Sequence, residues 1–202
     1  MNIFYLSENT KECAKMHNDK HCIKMILEYA QLLSTAHRVL DGVPTVSRRE
    51  TTGRQYTSYK LSDDRDGVLY SATHINHPSA IWCRQSIQNY QWLWSLLVEL
   101  CAEYTYRYGK VHKCESSGLV LELAESPKNI VDGPFTEPTP AMPEEYVVKD
   151  NSIASYRNYY LGGKQHLASW KGKVNPRDIP KWFSLGCLNL MAEDAQNLGL
   201  GY

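Results

Sequence analysis

The longest apolar pattern in the chain runs from Asp19 to Leu40, DKHCIKMILEYAQLLSTAHRVL. In a helix, Cys22, Ile23, Met25, Ile26, Tyr29, Ala30, Leu32, Leu33, Ala36, Val39 and Leu40 would wrap most of the circumference. A helix apolar on nearly every side belongs inside a domain. One narrow line stays polar: His21, Lys24, Glu28, Gln31 and Thr35. Their alternating spacings of three and four stack them on one face. Such a line either meets water or lines a cleft, and charged lines are usually solvated.

The pattern predicts a second long helix from Pro78 through SAIWCRQSIQNYQWLWSLLVELCAEYTYRY, ending at Gly109. Its apolar face of Ile81, Trp82, Trp92, Leu93, Leu96, Leu97, Leu100, Cys101 and Tyr104 should pack on the first helix. Met1 to Leu6 reads as a short extended lead-in. Ser7 or Asn9 can cap a helix reaching Met16, and Asp19 can cap the long one. Residues 41–76 are polar, weakly periodic and long for a loop. Shorter helices are expected over Gly118 to Glu125, from Asp150 or Ser152 to Gly162-Gly163, and near Leu188 to Gln196. Pro134, Pro138, Pro140 and Pro143 predict extended chain from Lys128 to Tyr146. With no repeats and almost no strand signal, the fold class is all-α, a single helical domain over residues 1–202.

At 43% hydrophobic over 202 residues, the chain can bury a core. Formal net charge is zero, so the average carries no nucleic-acid signal. The distribution is less even. Residues 95–150 hold ten acids against five bases, whereas residues 152–182 hold six bases against Asp178 alone. That basic stretch interleaves Tyr156, Tyr159, Tyr160, Trp170 and Trp182, a composition suited to phosphates and unpaired bases, or to a tyrosine-rich core helix and a basic loop. No run reaches membrane-spanning length, and MNIFYLSENTK lacks the parts of a signal peptide, so a cytoplasmic protein is expected. The six scattered cysteines include no CxxC pair and read as reduced thiols.

Two clusters could carry chemistry. Lys24 can pair with Glu28 one turn away, with His21 a further turn back on the same line; the plainer reading is an ordinary ion pair. In THINHPS, His74, Asn76, His77 and Ser79 precede a helix start, where backbone N–H groups can hold an anion or the histidine can simply cap. Cys13, His17 and His21 have metal-like spacing, but Asn18-Asp19 should interrupt the helix between them, and no metal is expected. No P-loop, dinucleotide motif or nucleophile elbow is present.

Asp19-Lys20-His21, six residues, then Glu28 resembles the D-Q-H…E segment of phage pyrimidine-dimer DNA glycosylases of the endonuclease V type. Asn76-His77 resembles that family's G-H segment. Glu99-Leu100-Cys101-Ala102-Glu103 running to Arg107 resembles its E-L-I-A-E…K-R-G helix end, and Tyr156-Arg157-Asn158-Tyr159-Tyr160 with Gly163-Lys164 resembles its Y-K-Y-Y-G-K. The likeness covers residues 2–165, with insertions at 41–75 and 110–150; residues 166–202 would be a basic, aromatic loop and packing tail. The opening MNIFYL with DKH is also similar to tailed-phage proteins.

The resemblance implies a phage-encoded, compact helical enzyme acting on double-stranded DNA without cofactor or metal; the oligomeric state is open, with a monomer favoured. An amine would attack the sugar C1′, and Glu28 would stabilise the charged sugar. Asn2 follows Met1 where the family has a small residue, so the amine would be that of a retained Met1 or a lysine such as Lys24. Leu27 and Gln31 stand where the family's arginines fall. Lys24 and His21 would tune the acid or contact the sugar-phosphate together with Gln31. Asn76, His77, Arg157 and Lys164 would hold phosphates, with Tyr159 or Tyr160 near an extruded base. A base-modifying transferase, or a non-catalytic protein binding DNA or a host protein, remains an alternative.

Overall fold

The computed structural model describes residues 1–48 and 50–197. Helix α1, Thr10–Met16, begins where the Asn9 side chain accepts the Glu12 N–H. Helix α2, Asp19–Asp41, is capped by Asn18 rather than Asp19: the Asn18 side chain accepts the His21 N–H at 2.9 Å. The Asp19 carboxylate is thereby released for other work. It accepts Ser169 Oγ–H and the N–H groups of Lys171 and Gly172, and pairs with Arg107. These bonds tie the basic segment after residue 166 to the start of α2.

Residues 43–60 correct the all-α expectation. Strands β1, Val43–Arg48, and β2, Gln55–Lys60, pair antiparallel from Val43↔Lys60 to Arg48↔Gln55. The fold is thus mostly helical with one two-stranded sheet among the described residues. Val, Thr and Tyr favour strand, and Gly53 supplies the positive φ of +64° that the turn needs. Alternation was not legible because both faces are mostly exposed, so neither demanded apolar residues.

A four-residue helix α3, Arg65–Val68, follows. Arg38 on α2 gathers this region. It donates to the carbonyls of Tyr59, Asp66, Leu69 and Tyr70 and pairs with the Asp66 carboxylate.

The second long helix is two. Helix α4, Pro78–Cys83, ends at Arg84, and α5, Ile87–Tyr108, starts after Ser86. Ser86 Oγ accepts the Asn89 N–H and donates to the Pro134 carbonyl, which fixes the break. Gly109 closes α5 in the left-handed region.

Short helices α6, Lys113–Ser116, and α7, Leu119–Glu122, lead into extended chain. That chain is pinned where Trp82 Nε1 and Asn89 bond Thr136, and it makes one 3-10 turn at Glu144–Tyr146. Helix α8, Ser152–Leu161, is capped by Asn151. Helix α9, Lys181–Asn197, is longer than the sequence pattern indicated. Phe183 near its start is buried, while Leu185, Leu188 and Met191 are exposed.

The core forms where α2 packs on α4 and α5 and α1 packs on α5, with Met25, Ile26, Tyr29, Leu32, Leu33, Leu93, Leu96 and Leu100 fully or almost fully buried. Helix α2 is not interior all round. Ile23 and Leu27 are 43% and 40% exposed, which leaves one open side next to the polar line. No helix among the described residues is long and apolar enough to cross a membrane.

Candidate functional site

The polar line of α2 changes character along its length. His21 is buried, Lys24 is open, the Glu28 side chain is 14% exposed, Gln31 is half-buried and Thr35 is fully buried. The Thr35 hydroxyl is clasped by Thr73, accepting its N–H and donating to its carbonyl. Residues 71–77 therefore cross over the line, and the part before Gln31 stays uncovered. There it lines a cleft of about 130 Å³, completed by Met1, Asn2, Phe4, Met25 and Lys164.

Glu28 sits in the wall of this cleft with Lys24 Nζ at 3.0 Å. No other hydrogen bond or ion pair to its carboxylate occurs among the described residues, so most of its acceptor capacity is free. Met1 reaches the cleft because the Ser79 hydroxyl on α4 donates to its carbonyl at 3.1 Å. His77 caps α4, its Nδ1 accepting the Ser79 N–H at 3.2 Å, which leaves the proton on Nε2. Burial holds the His77 pKa below its ordinary value. The positive charges of the Met1 amine and His74 push the same way, and Glu28 pulls it back up. Met1, His77 and Glu28 thus lie within electrostatic reach of one another.

His21 is held as a neutral ring. Desolvation drives its pKa far down, and the charges of His17, Lys164 and Lys24 add to that. The Tyr160 hydroxyl lies 2.6 Å from His21 Nδ1, and Asn18 Nδ2, which can only donate, lies 3.4 Å from the same nitrogen. An Nδ1 that accepts leaves the His21 proton on Nε2. The ring stacks on Phe4 at 4.1 Å between centroids. The cleft therefore offers one carboxylate, a neutral N–H donor, and cationic groups on Lys24, Lys164 and Met1.

Other candidates lie elsewhere. Arg157 does not line the cleft; it donates twice to the Leu6 carbonyl and stacks on Trp182 at 5.2 Å, so it fastens α8 to the N-terminal lead-in. Tyr160 is buried with its hydroxyl engaged, which removes it as a stacking platform. Tyr159 is half-buried against Tyr146, with Lys164 Nζ 4.8 Å from its ring centre. Asn76 is exposed beside His77. His17 has both nitrogens occupied, by the Cys13 carbonyl and Tyr29.

Sequence reasoning missed Phe4 and the Thr35–Thr73 clasp. Both depend on contacts between distant segments and leave no local pattern. Neither a protein-family model, nor a curated protein, nor a solved structure matches this chain.

Proposed function

We propose that the protein is a DNA N-glycosylase acting on a damaged or modified pyrimidine in duplex DNA, with Glu28 as the catalytic carboxylate. The observation that carries this reading is the Glu28 cleft itself. A mostly buried carboxylate with spare acceptor capacity faces a small concavity rimmed by Lys24, Lys164 and Met1.

When a glycosidic bond breaks, its electron pair leaves with the base and positive charge develops at the sugar C1′. A mostly buried carboxylate stabilises that charge more than one in bulk water. The lysines suit the phosphates that flank the sugar. The Nε2–H of His21 is oriented by Tyr160 to donate to a sugar oxygen. An amine of the cleft in its unprotonated form can then bond to C1′ as the base departs with the electron pair of the C1′–N bond and one amine proton; ring opening, with O4′ taking up the second amine proton, gives a Schiff base, and otherwise water takes the amine's place. The base must leave the stack to react, which is easiest at a damaged or mismatched position.

The test is base release from duplexes carrying different damaged and modified pyrimidines. Release should be lost in Glu28→Gln and kept in Cys22→Ser, a buried core change. Equal release by both removes Glu28 from the mechanism. Borohydride trapping assigns the amine: an adduct lost in Lys24→Ala identifies that lysine, an adduct lost only on blocking the terminal amine identifies Met1, and no adduct indicates hydrolysis by water. Duplex binding without release from any substrate would support the non-catalytic alternative.

A further inference from the structure

We infer that the β1–β2 ribbon inserts into the major groove of duplex DNA and anchors the substrate beside the Glu28 cleft. The inference rests on duplex DNA being the substrate class proposed above.

A two-stranded hairpin without a buried face is marginal in water. Here nine of the twelve strand residues are exposed, including Val43, Val46 and Tyr56 at 65%, 67% and 45%. It contributes nothing to the core beyond its base, where Arg38 binds the Tyr59 carbonyl. Its chemistry is also unlike the rest of the chain. The whole sequence is neutral, yet residues 43–60 contain Arg48, Arg49, Arg54 and Lys60 against Glu50 alone. Neither Arg48 nor Arg54 makes an ion pair among the described residues, and both are exposed. Lys60 lies within the field of Asp66 and is discounted.

Uncompensated cations on a thin, solvated ribbon match a polyanion with a groove. The major groove of B-form DNA is about 12 Å wide and admits a two-stranded ribbon. Six-residue strands give a reach of about 20 Å. The short hydroxylated side chains Thr45, Ser47, Thr57 and Ser58 lie between the arginines and the base of the ribbon and can contact phosphates or base edges.

Position supports the assignment. The base of the ribbon is held by Arg38, ten residues after Glu28 on the same helix, or about 15 Å along its axis. The segment from Ser71 to His77 joins the two regions. Ser71 lines a crevice against β2, Thr73 clasps Thr35, and His77 feels the charge of Glu28. A duplex with its reacting nucleotide at Glu28 would meet the ribbon roughly four to five base pairs away, at about 3.4 Å per pair.

The experiment is salt-dependent binding of the full chain to a duplex, comparing wild type with Arg48→Ala/Arg54→Ala. Each phosphate contact contributes about 0.9 to the slope of log affinity against log salt, so the double variant should lose about two units of slope. Lys11→Ala, which removes an exposed charge on α1, should leave the slope unchanged. Thermal melts of all three proteins should coincide, since these side chains are exposed. An unchanged slope in the double variant overturns the ribbon assignment, as does wild type that fails to bind duplex at low salt. If the slope falls but no substrate loses its base, the ribbon stands and the glycosylase reading fails. If base release is observed and the slope is unchanged, the ribbon assignment alone fails.

Discussion

Two acid–base pairs with the same four-residue spacing stand in this molecule in opposite conditions. Glu103 and Arg107 on α5 meet at 2.6 Å with side chains 4% and 0% exposed, and Arg177 adds a two-bond grip on the same carboxylate. Arg107 also donates to the carbonyls of Lys15 and His17 and pairs with Asp19. Lys24 and Glu28 on α2 meet at 3.0 Å with side chains 69% and 14% exposed, and Glu28 has no second partner. The first carboxylate is saturated; the second is sheltered yet unspent. A saturated carboxylate holds elements together, while one with free lone pairs at a concavity can meet a new positive charge. Glu28 and the Glu103–Arg107 pair both fall in the segments that resemble glycosylase motifs, yet of the two carboxylates only Glu28 keeps acceptor capacity at a cleft.

The largest effect that would sharpen this contrast is on stability. Glu103→Ala removes the carboxylate shared by two guanidinium groups, one of them fully buried, and should cost about 3–5 kcal/mol in urea unfolding. A loss under about 1 kcal/mol would show that solvent reaches the network and would erase the distinction. Glu28→Gln should reverse the pattern. It should slow single-turnover base release by about 10²–10³. Its unfolding free energy should stay within about 0.5 kcal/mol of wild type.

Acid should act first through the buried histidines. Burial lowers the pKa of both His17 and His37 to about 4, while the unfolded chain titrates near 6.5. Between those values the unfolded state binds more protons, so stability is complete above about pH 6.5 and falls as pH drops toward 4. Each ring should remove roughly 2 kcal/mol by pH 5. Denaturation at pH 7.5 and 5 measures this, and a flat profile would mean the rings are not held neutral. Glu103 adds a later loss. Burial would raise its pKa, but hydrogen bonds from Arg177 and Arg107 outweigh that and hold it below 4.5, so its contribution fades only in stronger acid. The smallest effect is that of Lys24→Ala, at most about 0.5 kcal/mol of stability, with weakened duplex binding as the clearer readout.

The sequence made α2, its polar line and most helix ends legible, because periodicity and capping residues are local signals. Asn9, Gly109 and the glycines after Leu161 end or begin helices as their chemistry dictates. Ser86 carried an equally local capping signal, obscured by the apolar pattern continuing through it. Glu28 was identifiable as a residue on a line, but its exposure depends on which segments cross α2, and Thr73 and Met1 come from far along the chain. The contacts of Arg157 with the Leu6 carbonyl and of Tyr160 with His21 were not legible for the same reason. A basic or aromatic side chain looks alike in sequence whether its partner is a phosphate or a distant carbonyl. The ribbon was missed because strands without a buried face lack the alternation that marks a strand.

Arg38 gathers four backbone carbonyls and one carboxylate from the segment between Tyr59 and Tyr70. Every stitch falls after the hairpin turn, and none depends on how far the hairpin projects. Lengthening or shortening the projecting part costs little loop entropy and leaves the helical frame untouched. One guanidinium thus serves as a socket, so the reach of the appendage can be altered while the helical frame around the Glu28 cleft keeps its shape.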